Sequence, residues 1–277
     1  MSGQGLSNTY GMGETPEETT RLLGQAVLYE RSTSRLLEDA GIQEGMRILD
    51  VGCGAGDVAL LAAARVGPHG SVIGVDRNPE LIAQARDRAQ RLGLAQLSFV
   101  NADLHELPFQ RDFDAVVGRL ILCHMADPVE TLRVLARHVR VGGLAVFQEL
   151  QLEMQADVKG ISPRIRKDYE TLLEGYASAK IRTTMGMDLF RAYRDAGLEP
   201  PYLSGFTALG CRPDWAGFDV AANSWRTLLP IFERSGTATA DQLDLDGMAA
   251  RFSTEVDRLG LPFIYATFIG AWGRVLS

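Results

Sequence analysis

Three glycines and four acids in the first half of this 277-residue chain have the types and spacing to hold a small ligand. The apolar run Ile48-Leu49-Asp50-Val51 leads into Gly52-Cys53-Gly54-Ala55-Gly56-Asp57, a D-x-G-x-G-x-G turn. Alternate glycines permit positive φ and let a ligand approach the backbone, and Val58 to Arg65 can start a helix beneath it. A dinucleotide fingerprint needs G-x-G-x-x-G, and its third glycine position is taken here by Asp57. Carboxylates at Asp50 and Asp57 would repel a pyrophosphate and welcome a ligand with a cationic amino-acid tail. Asp76 closes a second apolar run, Ser71 to Val75, where a carboxylate commonly accepts hydrogen bonds from two ribose hydroxyls. Asp103, beyond Leu97 to Val100 and flanked by Ala102 and Leu104, is placed to accept from an exocyclic amine such as that of adenine. In chain order these groups trace a nucleoside ligand from an amino-acid end to a base.

The elements needed to position them are legible as an alternation. Short apolar runs near 46–51, 71–75, 97–100, 113–117 and 143–149 read as strands, and stretches near 57–66, 79–92 and 128–140 as helices. Buried strands separated by helices predict a parallel sheet covered on both faces, with ligands bound beyond the carboxyl ends of the strands. Before this core, Thr15-Pro16-Glu17-Glu18 is a helix-start signal, and apolar residues recur through Leu22, Ala26, Tyr29, Leu36 and Leu37, predicting one or two amphipathic helices. After Glu149 the alternation breaks. Ser162 to Lys180 and Asp188 to Gly197 read as helices, Tyr202 to Leu209 as a strand, Asp214 to Leu259 as largely helical, and Phe263 to Val275 as strand-like.

The motifs LDVGCGAGD (Leu49 to Asp57), GVDRNPELIAQAR (Gly74 to Arg86) and NADLHELPF (Asn101 to Phe109) resemble those of the class I S-adenosylmethionine-dependent methyltransferases. So do FDAVVGRLILCHMADP (Phe113 to Pro128) and LARHVRVGGLAVFQE (Leu135 to Glu149), and the resemblance runs from about Gly41 to Leu150. It implies an α/β, Rossmann-like, doubly wound seven-stranded sheet whose last strand is antiparallel, with N-terminal helices and a helical cap insertion. The implied division is an N-terminal helical lid at 1–45, the cofactor-binding core at 46–150, cap insertions at 151–187 and 211–262, a core helix and strand at 188–210, and a final strand at 263–277. The implied cofactor is S-adenosyl-L-methionine. Gly52, Cys53, Gly54 and Gly56 would pass under its methionine part near Asp50, Asp76 with Arg77 would hold the ribose, and Ala102, Asp103 and Leu104 would frame the adenine. Gly118 and Arg119 would line the sulfonium region, and Tyr10, between glycines, would close over the cofactor carboxylate. Small-molecule enzymes of this family commonly carry two histidines where this chain has Cys123-His124, so the family does not assign a role to His124.

Methyl transfer from a sulfonium is an in-line displacement, so the protein must align the acceptor and exclude water; a base is needed only where the acceptor must lose a proton. His124, just beyond the fourth strand, is the candidate base, with a structural histidine as its alternative. Glu149, ending the fifth strand, reads either as a carboxylate binding substrate or as a helix cap or salt-bridge partner. His105 follows the adenine-framing residues, while His69 and His138 are expected in solvent. No H-x-x-x-H or comparable ligand spacing predicts a metal. The aromatic content of the later segments, at Tyr169, Tyr176, Phe206, Trp215, Phe218 and Trp225 with Met185 and Met187, suits either a core or a hydrophobic small-molecule acceptor, secondary metabolite or quinone-like.

A net charge of -7 argues against a nucleic-acid partner, which would call for a basic patch. Three cysteines do not suit a disulfide framework, no apolar run reaches the ~20 residues of a spanning helix, and Met1 to Tyr10 lacks a signal-peptide pattern. The expectation is a cytoplasmic enzyme with no membrane insertion; homo-oligomerisation is left open. Two other readings keep the cofactor but not the methyl transfer: a cyclase or rearrangement enzyme of the same fold, and a non-catalytic nucleotide-binding protein. An NAD-dependent oxidoreductase is a further alternative.

Overall fold

The computed structural model describes residues 16–153 and 160–277, with side chains in the first helix from Leu28 onward. Helix α1 (Pro16–Asp39) leads into β1 (Arg47–Val51), α2 (Asp57–Val66), β2 (Ser71–Asp76), α3 (Pro79–Arg91), β3 (Leu97–Asn101) and β4 (Phe113–Arg119). A 3-10 turn (Leu122–His124) precedes α4 (Pro128–Ala136) and β5 (Val139–Gln151). The second half runs through α5 (Pro163–Ser178), α6 (Met185–Ala196), β6 (Tyr202–Gly210), α7 (Gly217–Ser235), α8 (Ala240–Leu243), α9 (Met248–Leu259) and β7 (Phe263–Arg274).

The strands form one sheet in the order β3-β2-β1-β4-β5-β7-β6. The pairs from β3 through β5 are parallel, and β7 runs antiparallel to both β5 and β6, as the sequence resemblance implied. Strand order reverses at the β1–β4 pair, the switch point at which open α/β sheets leave a crevice. Helices cover both faces. Leu36 and Leu37 of α1, Ala59 and Ala62 of α2 and Ile82 of α3 are buried in one core; Leu132 and Leu135 of α4 and Leu189 and Tyr193 of α6 are buried in the other. Helices α5, α7 and α9 contribute Leu172, Leu228 and Phe252 to the second core and form the cap.

Local sequence sets the element ends. Asn78 and Asp127 each cap a helix that has proline at its start, their side chains accepting from Glu80 and Leu81 and from Glu130 backbone N–H groups. The N-terminal segment is a single helix, one of the two expected forms, whereas α4 ends four residues early because Val139, fully buried, pairs with Phe113 and begins β5 ahead of the Gly142-Gly143 irregularity. Helix α6 is fastened to the sheet by the buried Tyr193, whose hydroxyl lies 3.0 Å from the Ala145 carbonyl of β5 and 3.2 Å from that of Ala271 of β7. Tyr193→Phe should therefore lower stability by about 1–2 kcal/mol with an unchanged denaturant slope. Chemical denaturation checks it, and an unchanged midpoint would show that the hydroxyl adds nothing to the junction.

Candidate active site

The turn after β1 is tied to its neighbours by the backbone. Cys53 N–H donates to the Val75 carbonyl at 3.0 Å, and Gly54 N–H donates to the Asp76 carboxylate at 2.9 Å. The other Asp76 oxygen accepts from Asn78 N–H at 2.8 Å, so one side chain joins the glycine turn to the start of α3. Gly52 has φ +64, and a Cβ there would lie 2.5 Å from Ile121. At Gly56, φ is +89 and a Cβ would meet Phe99 at 2.9 Å, so this glycine serves the packing of α2 and does not line the pocket expected of it. Gly118 is likewise a packing glycine: a Cβ there would strike Phe147 and Ile121, and it too is absent from the pocket wall.

The charges beneath the turn differ from the sequence reading in one respect. Asp57 is not a bare anion: it pairs with Arg88 at 2.7 Å and Arg119 at 3.3 Å. Arg119 also donates to Thr33 Oγ1 at 3.1 Å, and its guanidinium lies 5.7 Å from the Tyr29 ring centroid, so α1, β4 and α2 meet at one cation. Asp50, by contrast, is 1% exposed and neither of its oxygens makes a hydrogen bond of normal geometry among the described residues. Burial raises its pKa from 3.8 to about 8, against the pull of the Arg119 charge. The Cys53 thiol is also pushed up, chiefly by burial, which leaves it protonated and unreactive.

Glu149 does not face the pocket. It is fully buried, and its carboxylate accepts from Ile121 N–H at 3.0 Å, Leu122 N–H at 2.8 Å and Cys123 N–H at 3.2 Å. Of the two roles open to it, substrate carboxylate or cap, its contacts are those of a cap for the 3-10 turn that carries His124, and its place among the catalytic candidates is corrected accordingly. That cap holds an unfavourable backbone in place, since the preceding Leu120 has φ 55, a conformation disfavoured for a side chain with a Cβ. Burial raises the Glu149 pKa from 4.5 to about 7, while the three N–H groups pull it down.

Over the carboxyl ends of β1, β2 and β4 opens a cavity of about 1730 Å³. Its floor includes Gly52, Cys53, Gly54, Asp76 and Arg77, with Ala102, Asp103, Leu104 and His105 on one side and Arg119 and His124 on another. Asp50 lies beneath this floor, and Tyr10 lies outside the described residues. Among the described residues no group of histidine, cysteine, aspartate or glutamate side chains could hold a metal. The roof mixes aromatic with polar side chains: Tyr169, Tyr176 and Trp225 line it as the sequence allowed, beside Asp168, Arg226, Thr227 and Arg234, whereas Met185, Met187, Phe206, Trp215 and Phe218 do not. Sequence reasoning missed Leu150, Leu172, Ser224, Phe252, Tyr265 and Phe268, which come from five elements and share no spacing that could have marked them. Tyr29 belongs to both core and pocket wall: it is 1% exposed, lines the cavity, and packs on Phe268 with ring centroids 4.3 Å apart.

A switch-point crevice, an unpartnered acid beneath a glycine turn and strand-end carboxylates define a nucleoside-binding α/β enzyme. Residues 42–192 match the methyltransferase-domain family, and the chain belongs to it: it is a class I S-adenosylmethionine-dependent methyltransferase. The demethylmenaquinone methyltransferase of Bacillus cytotoxicus is 28% identical over 204 residues, covering 67% of this chain and 85% of that protein. A ubiquinone/menaquinone biosynthesis C-methyltransferase of Idiomarina loihiensis is 29% identical over 136 residues; the match takes in 48% of this chain and only about half, 53%, of that relative's length. An S-adenosylmethionine-dependent methyltransferase structure from Aquifex aeolicus shares the fold with a TM-score of 0.52 at 18% identity, covering 70% of this chain and 92% of that one. The cofactor is S-adenosylmethionine. The donor set fits it: a buried acid without a hydrogen bond of normal geometry among the described residues, a backbone cradle and a strand-end carboxylate.

Two outcomes are expected. Asp50 keeps its proton when folded to a higher pH than when unfolded, so its contribution to stability is full below 3.8 and is lost as pH rises toward about 8. The Tm of ligand-free Asp50→Asn minus that of the wild type should therefore grow from near zero at about pH 4 to a plateau above about pH 8; a pH-independent difference would mean that the carboxyl is not shifted. Glu149→Ala should cost about 3 kcal/mol by orphaning backbone donors, yet the residual activity should keep the wild-type pH profile. Loss of a limb of that profile would return Glu149 to proton transfer.

Proposed function

We propose that this enzyme transfers the methyl group to an oxygen, nitrogen or carbon atom of a hydrophobic, ring-bearing small molecule. The observation that carries the reading is the cavity: at about 1730 Å³ it exceeds the ~300–1,000 Å³ of a usual single-ligand site, and above its polar floor the cap adds the aromatic and aliphatic side chains Tyr169, Leu172, Trp225, Phe252 and Phe268 among its polar ones. Such a division suits a nucleoside ligand below and a hydrophobic acceptor above. The name of the Bacillus cytotoxicus relative, a demethylmenaquinone methyltransferase, agrees with a quinone-like acceptor. No described helix is long and apolar enough to cross a membrane.

In this reading the backbone at Gly52 and Gly54 lies under the methionine part, Asp76 and Arg77 hold the ribose, and Ala102, Asp103 and Leu104 frame the adenine. When bound, S-adenosylmethionine supplies a sulfonium-activated methyl group. Asp50, neutral in the empty site, ionises as a cationic ligand tail reaches the turn and so holds it there, because Asp57 is already neutralised by two arginines. The packed aromatic roof excludes water and restricts the acceptor to approaches in line with the methyl group. His124 lines the cavity on a turn held by Glu149, and takes the acceptor proton where one must leave.

Methyl-labelled S-adenosylmethionine incubated with cell extract should place label in the organic-soluble small-molecule fraction. Label recovered only in nucleic acid or protein would overturn the acceptor class, and no demethylated cofactor would favour the non-transferring readings. Asp76→Ala should weaken S-adenosylhomocysteine binding by about tenfold or more with circular dichroism unchanged, as read by calorimetry. Equal affinity would show the ribose frame to be misplaced.

A further inference from the structure

The ionisable side chains that line the cavity divide by sign. The floor side presents Asp76, Asp103 and Glu106 beside Arg77, with Arg119 held by Asp57. The cap presents Lys180, Arg226 and Arg234 against one acid, Asp168, which is neutralised by Arg164 at 3.2 Å and Arg251 at 3.4 Å. Arg226 is engaged as well, donating to Asn223 Oδ1 at 3.0 Å, the Leu245 carbonyl at 2.9 Å and Asp246 at 3.1 Å. Lys180 and Arg234 make no side-chain hydrogen bond or ion pair among the described residues. In a chain of net charge -7, the cap wall is thus a local cationic field with two charges uncompensated.

Packing brings these two cations to one end of the cap, because α5 and α7 lie side by side and run the same way. Tyr169 and Phe218, early in each helix, pack on Phe263 with ring centroids 6.2 and 5.6 Å away. Further along both, Gly175 meets Phe232, where a Cβ would be 1.8 Å from the ring. Lys180 and Arg234 follow that contact, exposed on the rim of the cavity. Neither is needed by its helix end. The Lys180 and Ile181 N–H groups donate to the Ala177 and Tyr176 carbonyls, and those of Gly236 and Thr237 to the Glu233 and Phe232 carbonyls. Lys180 is also costly where it stands: at φ 58 it holds the left-handed position that α6, α7 and α9 give to Gly197, Gly236 and Gly260. A lysine in a glycine position, beside a cavity and without a partner, has a use outside the fold. The acids lining the cavity at the start of α4 are occupied, Asp127 by the Glu130 N–H and Glu130 by Arg133 at 3.3 Å.

Resting on the acceptor reading above, we propose that Lys180 and Arg234 are an anion-binding pair that holds a carboxylate of the acceptor, which is therefore a ring-bearing acid and not a neutral ring compound. The guanidinium fork matches a carboxylate with two parallel hydrogen bonds, and the ammonium adds a further donor. The division of charge also sets which end of the acceptor enters first. A carboxylate is repelled by the acids of the floor and held at the cap, so the uncharged ring is delivered toward the glycine turn, where the reading above places the methyl donor.

The test uses 2-naphthoate and its methyl ester as matched probes, titrated by fluorescence at neutral pH and low salt into the full chain saturated with S-adenosylhomocysteine. Wild type should bind the acid about tenfold more tightly than the ester, and the preference should shrink as salt is added. Arg234→Gln and Lys180→Gly should each cut the preference about threefold, and the double variant should bring it to about one with ester affinity retained. Lys180→Gly should in addition raise the Tm by about 2 °C, since glycine relieves the left-handed residue. A lower Tm would show that the lysine serves the fold and would count against the proposal. Ester binding with a wild-type ratio near one, or a ratio unchanged in both single variants, would overturn the anion site alone. Binding of neither probe would overturn it together with the hydrophobic-acceptor reading. Binding of S-adenosylhomocysteine is measured first and separately; its failure would count against the cofactor reading itself, not against the anion site.

Discussion

The structure turns on a carboxylate that is buried without a partner. Asp50 sits at the end of a central strand, under the glycine turn, where burial lifts its pKa to about 8. A group in that state destabilises the empty protein whenever it ionises, and any ligand that brings a positive charge to the turn recovers the difference. The surrounding arrangement keeps it so: the neighbouring Asp57 is given two arginines, and Asp50 is left with the field of Arg119 and the backbone N–H of Ala59, too little to offset its burial. One acid of the turn is neutralised within the fold and the other is not.

The rest of the site is positioned by carboxylates that spend their oxygens on backbone. Asp76 gathers the glycine turn and the start of α3, and Glu149 gathers the turn bearing His124. Because the donors are main-chain N–H groups, their geometry follows the strand ends and not the rotamers of long side chains, so the cavity floor is built before any ligand arrives. The cap then adds what the floor lacks, aromatic and aliphatic side chains drawn from α5, α7, α9 and β7.

The floor was legible in the sequence because its function depends on fixed local spacing. The D-x-G-x-G-x-G turn, Asp76 and Asp103 are each tied to a strand end, and period and glycine placement locate strand ends well. Gly56 and Gly118 misled because a glycine required for close packing against Phe99 or Phe147 looks the same in sequence as one required for a ligand. Glu149 stayed open between substrate carboxylate and cap for a related reason: its place at a strand end was legible, but the direction of its carboxylate depends on the reversal at Leu120. The roof was illegible beyond its aromatic content, since Leu172, Ser224, Phe252 and Tyr265 converge only after separate elements pack over β5 and β7.

The central claim, that Asp50 waits in its neutral form for a cationic ligand, is tested most directly by counting protons on binding. Calorimetric titration of S-adenosylhomocysteine at neutral pH, in buffers of different ionisation enthalpy, should show net proton release from the wild type as the Asp50 carboxyl ionises, and none from Asp50→Asn. Equal proton release in the two proteins, or none in either, would contradict it.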